Sequence, residues 1–158
     1  MMGSGKSSTG KALSSILGWE FIDIDNEISN THNLTINELF SRGEQYFRDI
    51  EYTELRKHIS KENIIVAVGG GAVTYKESFS LLSSKSCFYL KTSKNILLNR
   101  LQDDDTRPLL NVENKEEVLD KIMHQREQKY QTLCNYEMLT DNMSIQENCN
   151  KIMEMINV

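Results

Sequence analysis

The sequence predicts an α/β fold in which a parallel sheet carries helices on both faces. Three observations lead there. Amphipathic helical stretches alternate with short strand candidates along all 158 residues, with no internal repeat and no low-complexity linker. Residues 64–68 (Ile-Ile-Val-Ala-Val) are continuously apolar and mostly β-branched, the composition of a strand buried on both faces. Residues 3–7 (Gly-Ser-Gly-Lys-Ser) stand directly ahead of an amphipathic helix, the layout of a phosphate-binding turn. The length suits one domain, residues 1–158, around one core.

Each element has a local reason. Ser7 to Leu17 reads as a helix because Ala12, Leu13, Ile16 and Leu17 share a face and Gly18 is placed to stop it. Glu20 to Ile24 (EFIDI) reads as a short strand ending at Asp23 and Asp25. Thr35-x-x-Glu38 has capping-box spacing and starts a short helix. A longer helix covers about Glu44 to Ile59, with Phe47, Ile50, Leu55 and Ile59 near helical spacing. Strand Ile64 to Val68 runs straight into Gly69, Gly70 and Gly71. Cys87 to Leu90 makes another strand, and Ser93 is placed to cap the helix holding Ile96, Leu97, Leu98 and Leu101. Asp103 to Asn114 is polar, charged and holds the only proline, so a mobile loop is expected there. A helix comes next, from about Lys115 to Leu133, then a strand at Tyr136 to Leu139. Ser144-x-x-Glu147 begins the last helix.

Composition excludes several function classes. Charged residues at 26% and hydrophobic ones at 39% match a soluble globular protein, and a net charge of −5 argues against a nucleic-acid surface. No apolar run reaches the roughly 18 residues of a membrane-spanning helix, and the start lacks a signal-peptide layout, so no membrane partner and a cytoplasmic location are expected. Cys87, Cys134 and Cys149 are odd in number with no C-x-x-C pair, and His32, His58 and His124 lack ligand spacing. All six read as ordinary side chains.

The chemistry concentrates in a few places. A glycine turn ahead of a helix leaves backbone N–H groups free for phosphate oxygens, where the helix end adds partial positive charge. Gly3 and Gly5 permit the turn, Lys6 supplies a point charge and the Ser7 hydroxyl can hold Mg²⁺. Asp23 and Asp25 are two apart, so on an extended segment both point one way. One can serve the metal and the other can orient and deprotonate a hydroxyl, although D-x-D at a strand end is equally a turn or cap. Arg48 and Glu51 share a helical face at i, i+3, and Arg126 and Tyr130 lie one turn apart. Planar arginines clamp a small carboxylate with two parallel bonds. Arg107 can swing over phosphates from a lid loop at about 102–114, and Arg100 can lie against a nucleotide base. Taken singly, each arginine also reads as a solvated surface residue.

In combination, G-S-G-K-S, F-I-D-I-D, F-R-D-I-E, V-G-G-G-A-V, D-T-R-P-L-L and R-E-Q-K-Y, in this order, resemble the shikimate kinase family from Met2 to about Thr140. The resemblance implies a three-layer P-loop kinase fold with a five-stranded parallel sheet in the order 2-3-1-4-5. It implies transfer of the ATP γ-phosphoryl group to the 3-hydroxyl of shikimate, with Mg²⁺ as cofactor, on the route to aromatic amino acids, in a monomer. By similarity, Gly3, Ser4, Gly5, Lys6, Ser7 and Ser8 bind the ATP phosphates, with Lys6 central to transfer, and Ser7 and Asp23 serve the metal. Asp25 contacts the reacting hydroxyl as proton acceptor. Arg48 and Arg126 grip the shikimate carboxylate within a substrate-binding helical segment at about 25–61 and the later helix, and Gly70 closes on the substrate. Arg107 contacts ATP as the lid residue, and Arg100 stacks on adenine. Two rival readings stay open: a P-loop kinase for another hydroxy acid such as gluconate, and a nucleotide-binding kinase fragment without catalysis.

The chain departs from the family pattern in places. Phe40-Ser41-Arg42-Gly43 is one residue short of the usual spacing, and no residue of about 140–143 is assigned to adenine. The larger departure is at the start, where the first strand and the first glycine of the phosphate loop find no match. A central strand buries four or five apolar side chains, on the order of 6 to 15 kcal/mol, comparable to a whole domain's stability. The expectation is that the sequence starts late, at an internal methionine, with about ten residues to precede it.

Overall fold

The computed structural model describes residues 1–102, 108–110, 112 and 114–157. Eight helices and four strands alternate among them: α1 Lys6–Leu17, β1 Glu20–Asp23, α2 Ile24–His32, α3 Ile36–Phe40, α4 Glu44–His58, β2 Ile64–Ala67, α5 Lys76–Leu82, β3 Phe88–Lys91, α6 Lys94–Leu101, α7 Lys115–Leu133, β4 Tyr136–Leu139 and α8 Ile145–Met155. Short 3₁₀ turns at Ala72–Thr74 and Pro108–Leu110 complete the order.

Local chemistry accounts for most boundaries. Thr35 and Ser144 each form a complete capping box, accepting from the N–H of Glu38 and Glu147 while those carboxylates reach back to the cap. Gly18 ends α1 in the left-handed region. Three expectations need correction. Strand β1 ends at Asp23, and Ile24 and Asp25 open a helix, because the Asp23 carboxylate accepts from the N–H of Asn26 and caps α2. Asp25 therefore points from a helical first turn, and the same-face rule of an extended segment does not apply. Ser93 takes the N-cap position of α6 without a side-chain capping bond; its N–H donates to Asp141 instead.

The third correction concerns the burial of the second strand, within a sheet that follows the expected order. β1 pairs with β2 in parallel, Glu20 opposite Ile64 through Asp23 opposite Ala67, and β3 pairs with β4 in parallel, Phe88 opposite Tyr136 through Lys91 opposite Leu139. The described residues thus hold two two-stranded half-sheets. They correspond to strands 2-3 and 4-5 of the expected order, on either side of the central position. β2 is consequently half-buried rather than sealed on both faces, since Ile64, Ile65 and Val66 all keep partial exposure.

Three apolar clusters hold the layers. Leu13 of α1, Leu90, Met138, and Cys149 and Ile152 of α8 pack on one face. On the other, Ile22, Ile24, Ile28, Leu39, Phe47 and Leu55 seat the helices of residues 24–58 against β1 and β2. Tyr89, Leu97, Leu101, Leu119 and Ile122 seat α6 and α7 beside β3.

Candidate active site

The phosphate turn has the geometry its glycines require. Gly3 and Gly5 adopt φ of 72° and 85°, a region that side chains resist. A Cβ on Gly3 would also stand 3.1 Å from Leu101 Cγ. Gly5 caps α1 with no side-chain bond, so the first N–H groups of that helix are not covered by a capping side chain. The Lys6 ammonium donates to the Met1 carbonyl at 2.6 Å, and the buried Ser4 hydroxyl donates to the same oxygen at 2.9 Å. Ser8 is exposed on the first turn. Arg100 donates to the Gly3 carbonyl at 3.0 Å, so this side chain braces the turn from α6. Arg107 lies outside the described residues, as does most of the expected lid.

Ser7 hydrogen-bonds the Asp23 carboxylate across 16 residues of sequence. A hydroxyl and one carboxylate oxygen form a hard-donor pair at the helix start, of the kind that suits Mg²⁺ shared with phosphates and water rather than an all-protein cage. The described residues contain no group of three or more His, Cys, Asp or Glu able to hold a metal without such a ligand.

The second half of the site is built by α4, the triple glycine and α7. Arg48 is 5% exposed and donates to Glu51 at 2.7 Å and to Glu44 at 3.1 Å. Its guanidinium lies 5.3 Å from the Phe47 ring centre and 5.9 Å from that of Phe40, within cation–π range. Glu51 is fully buried, and one of its oxygens, Oε1, has no hydrogen-bond partner. Burial pushes its carboxyl up to about 7, with Arg48 pulling the other way and the nearby Asp25 charge adding to the rise.

The glycines make room for these charges. A Cβ on Gly69 would stand 2.2 Å from Glu51 Oε1 and 3.2 Å from Asp25 Oδ1, and one on Gly71 would stand 1.9 Å from Arg48 Nη2. Gly70 is tied to α7, because the Tyr130 hydroxyl donates to its carbonyl at 2.6 Å. Tyr130 is buried, which raises its phenol; Arg126, hydrogen-bonded to it and itself 4% exposed, opposes the rise. Arg48, Arg126, Asp25, Glu51 and the glycines thus meet beyond the carboxyl ends of β1 and β2, on the side where Asp23 meets Ser7. This is where open α/β sheets bind ligands.

Sequence reasoning located Arg48 with Glu51, Ser7 with Asp23 and the glycine turn. It missed the Tyr130–Gly70 bond and the steric reason for Gly69 and Gly71. The run of three glycines after a strand is the signal that pointed to close approach.

A glycine turn with lysine and serine at a helix start, a carboxylate on the adjacent strand end and a neighbouring arginine-lined acidic pocket define a P-loop kinase for a small anionic acceptor. The family model for shikimate kinase matches residues 2–157. A shikimate kinase of Synechococcus sp. (strain CC9902) is 42% identical over 82% of this chain and 69% of its own. That of Histophilus somni (strain 2336) is 35% identical over 98% and 90%. The structure of shikimate kinase from Acinetobacter baumannii in complex with shikimate superposes with a TM-score of 0.96 at 34% identity, over 99% of this chain and 88% of that one. Shikimate kinase from Bacteroides thetaiotaomicron superposes with a TM-score of 0.88 at 28% identity, over 99% and 94%. The chain belongs to the shikimate kinase family, kinases that transfer phosphate from ATP to a hydroxyl of shikimate. No helix among the described residues is long and apolar enough to cross a membrane.

Proposed function

We propose that this chain phosphorylates shikimate with the residues assembled around the Gly69–Gly71 turn and the Gly3–Ser8 loop. The observation that carries the assignment of roles is the convergence of Asp25, Arg48 and Arg126 beside three glycines, of which Gly69 and Gly71 let the charged side chains approach the backbone closely. Arg48 and Arg126 bind the acceptor's carboxylate. Both are buried, so each interaction is made in a low-dielectric pocket and is stronger than a surface pair. Glu51 holds Arg48 in place through the 2.7 Å bond.

Asp25 orients the acceptor hydroxyl and takes its proton as the oxygen attacks the terminal phosphorus. The N–H groups of Gly3 to Ser8 hold the phosphate oxygens, and Lys6 exchanges its bond to the Met1 carbonyl for the terminal phosphates. Ser7 and Asp23 would hold Mg²⁺, which supplies charge neutralisation on the phosphates. Arg100, through Gly3, keeps the turn in shape. Arg107 is assigned to the lid that covers ATP.

The test is an ADP-release assay with Mg²⁺, ATP and either shikimate or gluconate. Shikimate alone is expected to turn over, and Asp25→Asn should lower kcat by about 10²- to 10⁴-fold with unchanged thermal unfolding. Equal turnover of gluconate, or undiminished kcat in the variant, refutes the reading.

A further inference from the structure

The two arginines of the acceptor pocket have different internal partners. Arg48 is bonded to two carboxylates, Glu51 and Glu44. Arg126 is as deeply buried, yet among the described residues no carboxylate lies within ion-pair distance of it, and its hydrogen bond is to Tyr130. A buried cation is costly unless something compensates its charge. Two carboxylates are within electrostatic reach. Glu51 is bonded to Arg48. The other is Glu127, the next residue in the chain, and Tyr130 feels both the Arg126 cation and the Glu127 anion, which places the two charges on the same side of α7.

Glu127 is held away by β3. Its Oε1 accepts from the Lys91 ammonium at 2.6 Å and its Oε2 from the Tyr89 hydroxyl at 2.6 Å, so both oxygens are occupied. Tyr89 and Lys91 are two apart on the strand and so share the face toward α7. Glu137, opposite Tyr89 in the ladder, holds Lys91 from the other side at 3.2 Å. Partial burial works against the Glu127 charge, but the bonds from Lys91 and Tyr89 outweigh it and keep the carboxyl below its ordinary range. Glu127 is therefore an anion at neutral pH, and the nearest internal counter-ion Arg126 could take if the bonds to β3 were lost.

We infer that Lys91 is a positioning residue for acceptor binding: it anchors the Glu127 carboxylate on the sheet and so leaves the buried Arg126 guanidinium to take its counter-ion from the substrate. Tyr89 assists in two ways. Its hydroxyl fills the second Glu127 oxygen, and its ring stacks on Tyr130 with 4.8 Å between centres, steadying the phenol that bonds both Arg126 and the Gly70 carbonyl. This role for Lys91 rests on the reading that Arg126 binds the acceptor's carboxylate.

The experiment measures steady-state kinetics of Lys91→Met, which keeps the aliphatic stem, and of Lys91→Gln, which keeps a polar head. In both, Glu127 turns to Arg126 and competes with the substrate. The KM for shikimate should rise about tenfold, as loss of one charge-assisted bond requires, while kcat and the KM for ATP stay within about twofold. The deciding variant is Lys91→Met/Glu127→Gln, in which no anion remains to compete, and its KM for shikimate should return to within about twofold of wild type. A merely structural bridge predicts no such rescue, because the double variant lacks both of its charges. An unchanged KM for shikimate in the single variants, an equal rise in the KM for ATP, or a double variant as impaired as Lys91→Met would each overturn the inference. Arg126→Lys, which loses the planar two-bond grip, separates the two levels. If it raises the KM for shikimate and the Lys91 variants do not, the acceptor pocket stands and the role of Lys91 falls; if it leaves that KM unchanged, the pocket reading falls and the role of Lys91 with it.

Discussion

Gly71→Ala is a one-carbon test of the acceptor pocket. The new methyl would stand 1.9 Å from Arg48 Nη2, 2.4 Å from Cζ and 2.7 Å from Nη1, so the whole guanidinium face must retreat by more than about 1 Å to reach ordinary contact. Arg48 has little freedom to do so. It is buried, bonded to Glu51 at 2.7 Å and Glu44 at 3.1 Å, and sits over Phe47. A retreat that lengthens the Glu51 bond leaves a buried carboxylate unpaired, at about 3 to 5 kcal/mol when the loss is complete. Protonation of Glu51, which already titrates near 7, relieves part of this. The expected stability loss is therefore about 1 to 3 kcal/mol. The displaced guanidinium also forfeits a charge-assisted bond to the acceptor, about 1.5 to 3 kcal/mol, or roughly 10- to 100-fold in the KM for shikimate. Because that contact serves ground and transition states alike, kcat should change by no more than about threefold. Steady-state ADP release against shikimate concentration, beside urea unfolding, measures both. A variant with the original KM and stability would show that Arg48 is not where the pocket needs it.

Two more outcomes rest on named contacts. Folded Glu51 keeps its proton up to about pH 7, whereas the unfolded side chain releases it near 4.5. The folded state therefore binds more protons between those values, and stability supplied by this residue falls as pH rises through that window, by on the order of 3 kcal/mol in all. Urea unfolding of wild type and Glu51→Gln at about pH 5 and about pH 8 should show the wild type losing ground to the variant; a pH-independent difference would contradict it. Thr35→Ala and Ser144→Ala each remove a complete capping box and should cost about 1 kcal/mol in thermal or urea unfolding, with kcat untouched by Ser144→Ala.

What the sequence made legible was local. Both capping boxes, the Arg48–Glu51 pair and the glycine turn are set by spacings of two to four residues, and each appears where the spacing put it. Helix α2 was hidden because Ile24 and Ile28 extend the apolar pattern of β1, and only the Asp23 cap on Asn26 decides that the chain turns there. The contacts that finish the site are remote: Tyr130 to Gly70 spans 60 residues and Arg100 to Gly3 spans 97. No periodicity encodes such pairs. Gly69 and Gly71 gave a partial signal, since absent side chains announce close approach without naming the neighbour.

The position of the phosphate turn explains why these remote contacts matter together. Gly3 packs on Leu97 and Leu101 and is held by Arg100, all on α6 beside β3. Ser7 is bonded to Asp23 at the end of β1, and Gly70 after β2 is held through Tyr130 on α7. In the acceptor clamp, Arg48, held by Glu51, belongs to the β1–β2 half, and Arg126 comes from α7 beside β3. Donor phosphates and acceptor are thus each held by groups from both half-sheets. In-line transfer tolerates misplacement of about 1 Å poorly, so the reach from Asp25 to the terminal phosphate is set by how rigidly the halves are joined.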